Sequence, residues 1–395
     1  MQDSEYSKHR SRFREAMRER ELDGLLVTSL SDVRYLCGFS GSSGLVLLLP
    51  RSGWFLTDFR YREQSREEVA GLRTLICEED FGKGLREILT RSRGGTAPGS
   101  ARTRDRDVAG CAAGGTSPGA AGSASPRPLR IGYDPRSLTC AELALYRRRL
   151  RGLASLVPLK ADMQSVRARK SPAEVRAMKK GIRVAEAAFR EALRGLGERP
   201  TERELALELD FAARRRGAEA AAFETIVAGG ARGALVHARP SGSKLTGAVV
   251  VDWGVVFEGY CTDCTRTVAL GRVPAEIRKV HRLVLEAQER ALERIRPGVR
   301  AREVDRVARE VLEKAGYGKA FGHGLGHGVG LEVHEMPHLS PRSRDVLEEG
   351  MVFTVEPGVY LPGVGGVRVE DMVLVTSSRA EVLTSLPRSL DPSEY

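Results

Sequence analysis

Gly-His-Gly-Leu-Gly-His-Gly at 322–328, Val355-Glu356-Pro357-Gly358 and Val369-Glu370-Asp371 follow one another near the C-terminal end of the chain, and their reading decides the fold. Upstream, two aspartates belong with them: Asp252 in Val-Val-Val-Asp252-Trp-Gly and Asp263 in Thr-Asp263-Cys-Thr-Arg-Thr. Each stands at the edge of an apolar run, where an unpaired charge is expensive to bury. Four carboxylates and a histidine point to a metal. Oxygen ligands with one imidazole suit manganese, cobalt, iron or zinc, and the excess of carboxylate over histidine suits two ions sharing bridging oxygens. The residues therefore imply a dinuclear metal-dependent hydrolase.

Spacing strengthens this. The ten residues between Asp252 and Asp263 predict two strands joined by a tight turn near Phe257-Glu258-Gly259. Folded about its middle, such a hairpin sets the aspartates opposite each other, with Cβ atoms roughly 5 Å apart. Glu356 and Glu370 flank a second segment of the same kind, with its midpoint at Gly363. Two hairpins would each supply a carboxylate pair.

With 395 residues the chain has room for two domains. Its 41% hydrophobic and 29% charged content is ordinary for a globular protein. The start carries no apolar signal core, and no uncharged apolar run approaches the ~20 residues of a membrane span, so the expectation is a cytoplasmic protein without membrane association. Six dispersed cysteines fit reduced thiols. A net charge of +11 raises nucleic acid as a partner, but the basic residues are spread along the chain, mostly as arginine, and form no clustered face. No nucleic-acid partner is expected.

Residues 1–162 alternate short apolar runs with helical patterns. Helix is expected over 5–22, strands at 24–28, 45–49, 54–57, 72–77, 129–133 and 153–159, and helices over 61–70, 81–91 and 139–151. This is an α/β domain. The stretch 92–128, made of Gly, Ala, Ser, Pro, Thr and Arg, has too little apolar surface to offset its ordering entropy and reads as a disordered insertion. Residues 163–395 form a second domain. Ser171-Pro172-Ala-Glu174 and Thr201-Glu-Arg-Glu204 each carry an N-cap and a capping-box acid before an apolar helical periodicity. A second pair of helices is expected over 274–296 and 301–315, and each pair precedes a carboxylate-bearing, strand-rich segment. Two helices followed by a metal hairpin, twice, suggests an internal duplication.

These residues together resemble the pita-bread metallopeptidases of the aminopeptidase P, prolidase and creatinase branch, through Asp252-Trp-Gly, Asp263-Cys-Thr-Arg-Thr, Gly-His327-Gly-Val-Gly-Leu-Glu-Val-His334-Glu, Glu356-Pro-Gly and Arg368-Val-Glu370-Asp. Residues 24–60 resemble that branch's N-terminal domain. The resemblance implies a creatinase-like α/β N-terminal domain followed by an α+β pita-bread catalytic domain with internal pseudo-twofold duplication. It makes Asp252, Asp263, His327, Glu356 and Glu370 the metal ligands. His327 is preferred to His323 because it precedes His334 by the family's separation, which leaves His323 a bystander. His237 and His334 become the substrate-side histidines, Arg368 helps organise the site, and Glu356 serves as both ligand and proton acceptor. The cofactor implied is two divalent ions per chain, manganese first, with cobalt, iron or zinc as alternatives. The activity implied is hydrolysis of the Xaa-Pro bond at a peptide N-terminus by an Xaa-Pro aminopeptidase. The alternative is an Xaa-Pro dipeptidase (prolidase), and a more distant one a non-catalytic binding protein on the same scaffold. Substrates would carry proline at the second position, and a homodimer is usual in proteins it resembles. The departures are a shortened link between His237 and Asp252, Gly247-Ala248 where Gly-Asp is common, and Cys264 where an apolar residue is usual.

Two motifs mislead. His334-Glu-Met-Pro-His338 matches His-Glu-x-x-His, which requires a helix, but Pro337 inside that span removes a bond and clashes with the preceding turn at a cost of about 3 kcal/mol. Cys261-Thr-Asp-Cys264 is a lone Cys-x-x-Cys within a strand and reads as neutral thiols. His281, Glu335 and His338 are given no chemical role.

Overall fold

Leu25, Leu26 and Val27 are buried because the strand that carries them, Gly24–Val27, lies inside a six-stranded sheet rather than at its edge. A computed structural model describes residues 3–93, 127–159 and 163–395, so most of the expected insertion at 92–128 lies outside the described residues. The chain divides into two compact units, Met1–Asp162 and Met163–Tyr395. In the first unit, the sheet runs in the order Arg73–Cys77, Gly53–Asp58, Leu45–Leu48, Gly24–Val27, Leu129–Tyr133, Ala154–Pro158. Gly24–Val27 pairs antiparallel with Leu45–Leu48 on one side and parallel with Leu129–Tyr133 on the other. The amphipathic helix Phe81–Ser92 lays Leu85, Ile88 and Leu89 on this sheet.

A helix over Leu30–Cys37 is absent from the expectation given above. Its signals are short-range. Ser29 caps it by accepting from the Asp32 amide, and Gly38 ends it in a left-handed conformation at φ 89°.

In the second unit, the capping boxes form as expected. Ser171 and Glu174 start the helix Pro172–Arg194, and Thr201 and Glu204 start Glu202–Arg215. A three-stranded sheet follows, ordered Cys264–Ala269, Ala248–Trp253, Ile226–Gly229. The order of elements then repeats. Helices Ala275–Arg294 and Ala301–Lys314 precede a five-stranded sheet of Glu335–Leu339, Gly326–Gly328, Val352–Val355, Asp371–Val375 and Ala380–Val382. The first of these helices buries Val280, Val284, Ala287 and Ala291 in one cluster with Val355, Val359, Val367 and Val369. Trp253 stacks on Phe189 with ring centroids 4.3 Å apart and donates its indole N–H to the Ala185 carbonyl at 3.1 Å, which ties the strand of Asp252 to the helix behind it.

The helix Ala275–Arg294 buries His281, whose Nε2 has no hydrogen-bond partner. Burial pushes its pKa down to about 4, against a carbonyl contact at Arg388 that raises it. A base whose pKa is depressed by folding takes up protons more readily when unfolded. Its stability contribution is therefore complete above the unfolded value of ~6.5 and declines as pH falls from there toward 4. Wild type should lose about 3 kcal/mol more than His281→Gln between pH 7 and pH 4. Urea midpoints at the two pH values measure this, and parallel profiles for the two proteins would refute it.

Candidate metal centre

The first hairpin turns at Glu258 and Gly259, whose φ angles of 48° and 81° are both positive, as a two-residue type I′ turn requires. Val256 therefore pairs with Cys261, Trp253 with Cys264, and Asp252 with Thr265. The expected register, with Asp252 opposite Asp263, is corrected by two positions. The demand for positive φ falls one residue later than the midpoint of the segment, so the aspartates are diagonal neighbours. Gly254 sits so close to the Thr262 carbonyl that a Cβ would be driven into it.

The second hairpin keeps the expected register. Val355 pairs with Asp371 and Gly358 with Arg368, so stepping inward from either pair brings Glu356 level with Glu370. His327 comes from the short strand Gly326–Gly328, whose Gly326 leaves no room for a Cβ beside the Thr354 carbonyl. Asp252, Asp263, His327, Glu356, Glu370, Arg368, His237 and His334 all line one cavity of about 550 Å³. One ligand atom each from Asp263, His327 and Glu370 lies within 4.8 Å of the others.

These carboxylates repel each other in a buried place. Burial first, then Glu370, Asp252 and Glu356, push Asp263 well above the usual carboxylate range. Burial and the neighbouring carboxylates do the same to Glu370. Glu356 is pushed up to about 8 by burial, despite Arg368. Asp252 Oδ1 is buried without a hydrogen-bond partner. His327 Nε2 lies 3.6 Å from Asp263 and 3.4 Å from Glu356, distances that suggest ion pairs. The imidazole is neutral, however, because burial and then His334 push its pKa down to about 3. Nδ1 lies 3.1 Å from the Gly328 carbonyl, and a proton there leaves the Nε2 lone pair facing the carboxylates. Clustered carboxylates, an orphaned oxygen and a neutral imidazole aimed at them fit divalent cations.

Apart from Arg368, which is expected, the groups that support the cluster are missed by sequence reasoning. Thr265 Oγ1 donates to Glu370 Oε2 at 2.7 Å, and Thr354 Oγ1 to Glu356 Oε1 at 3.2 Å. Arg368 donates from Nη2 to Asp252 Oδ2 at 2.7 Å, from Nη1 to the Tyr360 hydroxyl at 2.8 Å and from Nε to Thr265 Oγ1 at 3.0 Å. His323 is outside the group of candidate ligand atoms formed by Asp263, His327 and Glu370. It lines the cavity, and its Nε2 lies 2.9 Å from the Tyr360 hydroxyl. Strand alternation marks Thr265 two residues after Asp263 and Thr354 two residues before Glu356, whereas none marked Tyr360.

His237 and His334 are exposed at the cavity wall. The residue after His334, Glu335, points the other way into the interior, where Lys170 Nζ meets it at 2.7 Å with both side chains 1% exposed. His334-Glu-Met-Pro-His338 runs into the strand Glu335–Leu339, so its histidines do not share a helix face. His338→Ala should retain metal content and most activity, to be checked by elemental analysis beside the rate. Loss of metal in that variant would reinstate the helical zinc-site reading.

Comparisons with known proteins identify the family and the fold. Residues 176–377 match metallopeptidase family M24, and residues 9–169 match the Creatinase/Prolidase N-terminal domain. An Xaa-Pro dipeptidase of Pyrococcus furiosus is 42% identical over 230 residues, 58% of this chain and 66% of that one. Among solved structures, the Xaa-Pro dipeptidase from Bacillus anthracis superposes with a TM-score of 0.83 at 33% identity, covering 98% of this chain and 99% of that chain. The X-Pro aminopeptidase from Thermotoga maritima superposes with a TM-score of 0.79 at 32% identity, covering 94% and 98%. With a pita-bread catalytic unit, a creatinase-type N-terminal unit and a carboxylate cluster suited to divalent ions, the chain belongs to metallopeptidase family M24.

Proposed function

We propose that this peptidase is an Xaa-Pro dipeptidase that holds two divalent ions, manganese first, on Asp252, Asp263, His327, Glu356 and Glu370. The observation that carries it is the convergence of all five residues on the cavity that His237 and His334 also line. The choice of dipeptidase over aminopeptidase rests on the relatives named Xaa-Pro dipeptidase, one of them matched over nearly the whole of both chains. The aminopeptidase from Thermotoga maritima keeps the second reading in play. The resemblance further suggests a homodimer and a cytoplasmic location.

Divalent ions bound there would supply Lewis acidity toward the scissile carbonyl and make water more acidic. Glu356, held by Thr354, accepts the proton of the attacking water and returns it to the leaving nitrogen. His237 and His334 reach the carbonyl oxygen from the exposed side and stabilise the charge that develops on it. Arg368 fixes Asp252 and offsets part of the cluster's negative charge. The proline nitrogen of Xaa-Pro carries no hydrogen, so general peptidases that need that donor act on it poorly.

Rates on Ala-Pro, Ala-Pro-Ala and Ala-Ala test the proposal in metal-reconstituted protein. Ala-Pro should be the best substrate. Preference for Ala-Pro-Ala would favour the aminopeptidase, and equal rates on Ala-Pro and Ala-Ala would remove proline from the reading. Metal analysis finding one tightly held ion in active protein would contradict the pair.

A further inference from the structure

A dipeptide differs from a longer peptide in one group near the reacting bond, the carboxylate that follows proline. Among the described residues lining the cavity, two are permanent cations, Arg368 and Arg239. Arg368 is 3% exposed, and all three of its guanidinium nitrogens are engaged by Asp252, Tyr360, the Val236 carbonyl and Thr265. It is committed to the site itself. Arg239 is different, with its side chain 86% exposed and placed 3.5 Å from the carboxylate of Glu224, itself 68% exposed and on the same cavity wall. An exposed pair of this kind contributes little stability and changes partner easily.

The backbone beneath Arg239 is fixed even though its tip is exposed. The Arg239 carbonyl accepts from Arg232 Nη2 at 2.8 Å, while Arg232 Nε donates to Glu202 at 3.0 Å. Glu202, 1% exposed, also accepts from the Gly229 amide and from the amide and hydroxyl of Ser241. One buried carboxylate thus pins both ends of the segment that carries His237 and Arg239. In Xaa-Pro, the carboxylate carbon lies three bonds from the scissile carbonyl carbon, about 3 Å away at proline's fixed φ, and two residues of chain span at most about 7 Å. A carbonyl held by His237 therefore leaves the carboxylate within reach of Arg239.

We propose that Arg239 exchanges Glu224 for the free C-terminal carboxylate of the substrate and so selects dipeptides over longer peptides. The inference rests on the dipeptidase reading. The planar guanidinium matches a carboxylate with two parallel hydrogen bonds, and a neutral peptide bond at the same place forfeits that match.

The test compares Ala-Pro with Ala-Pro-amide in wild type, Arg239→Gln and Arg239→Lys, all metal-reconstituted. Arg239→Gln should raise KM for Ala-Pro roughly 10- to 100-fold, the range of a charge-assisted hydrogen bond, with kcat little changed. Rates on the amide should stay the same, and Arg239→Lys should recover part of the loss. In calorimetric titration the variant should also bind L-proline more weakly than wild type does, with prolinamide binding unaltered. Equal losses on Ala-Pro and its amide, or no loss on Ala-Pro, would overturn the assignment while the dipeptidase reading stands. A wild type that cleaves Ala-Pro-Ala but not Ala-Pro would overturn both.

Discussion

Asp263→Asn is expected to lose tightly held metal and about three orders of magnitude in kcat/KM. Asp263 is 5% exposed, and its neighbours are Glu370, Asp252, Glu356 and the neutral His327. An amide keeps the shape of the carboxylate but removes the charge that draws a cation. Lewis-acid stabilisation of a transition state amounts to several kcal/mol, and about 4 kcal/mol corresponds to roughly a thousandfold in rate. Elemental analysis and kinetics on the same preparation check both halves. Full activity in the variant would remove Asp263 from the centre.

Asp371→Ala is expected to destabilise the second unit by about 3–5 kcal/mol, a large part of the ~5–15 kcal/mol that separates folded from unfolded protein. The carboxylate is 1% exposed and accepts from Arg266 Nη2 at 2.7 Å, Arg388 Nε at 2.7 Å, Gln288 Nε2 at 3.0 Å and Thr384 Oγ1 at 2.6 Å. Burial alone would raise its pKa, but Arg266 and Arg388 outweigh that and hold it below the usual range. Truncation leaves Arg266, which is inaccessible to solvent, without its counter-ion. Urea unfolding followed through buried Trp253 measures the loss. A change below about 1 kcal/mol would mean that carbonyl groups satisfy Arg266 unaided.

The predicted ligands were legible because each sits next to a punctuation mark in the sequence: a glycine, a proline or a strand end. The second hairpin was readable to the residue, since its midpoint and its turn coincide at Gly363, where φ is 77°. The first was misread by two positions, because a negative charge at Glu258 gave no hint that this residue adopts positive φ. The helix Leu30–Cys37 was missed for another reason. Two turns of helix are too few for apolar periodicity to outvote a strand-like composition, and the caps at Ser29 and Gly38 were its clearest marks. Tyr360 and Arg239 were beyond reach, since their partners are set by which strands and loops meet across the cavity, whereas Thr354 lies two residues before Glu356 and was within reach of strand alternation.

Gly254 and Gly326 lie within two residues of Asp252 and His327, and each presses against the carbonyl of a residue that leads into another predicted ligand, Thr262 before Asp263 and Thr354 before Glu356. The spacing of the candidate ligands is thereby set by main chain against main chain, with no side chain between to be exchanged. For protein engineering this divides the site into a part that variation cannot adjust and a part that it can. Libraries meant to retune metal preference or turnover gain nothing from these two positions, where even alanine has no room. Diversity is better placed on the rim, at Phe223, Glu224, Val236 and Arg239, whose side chains face the cavity without setting the distance between its strands.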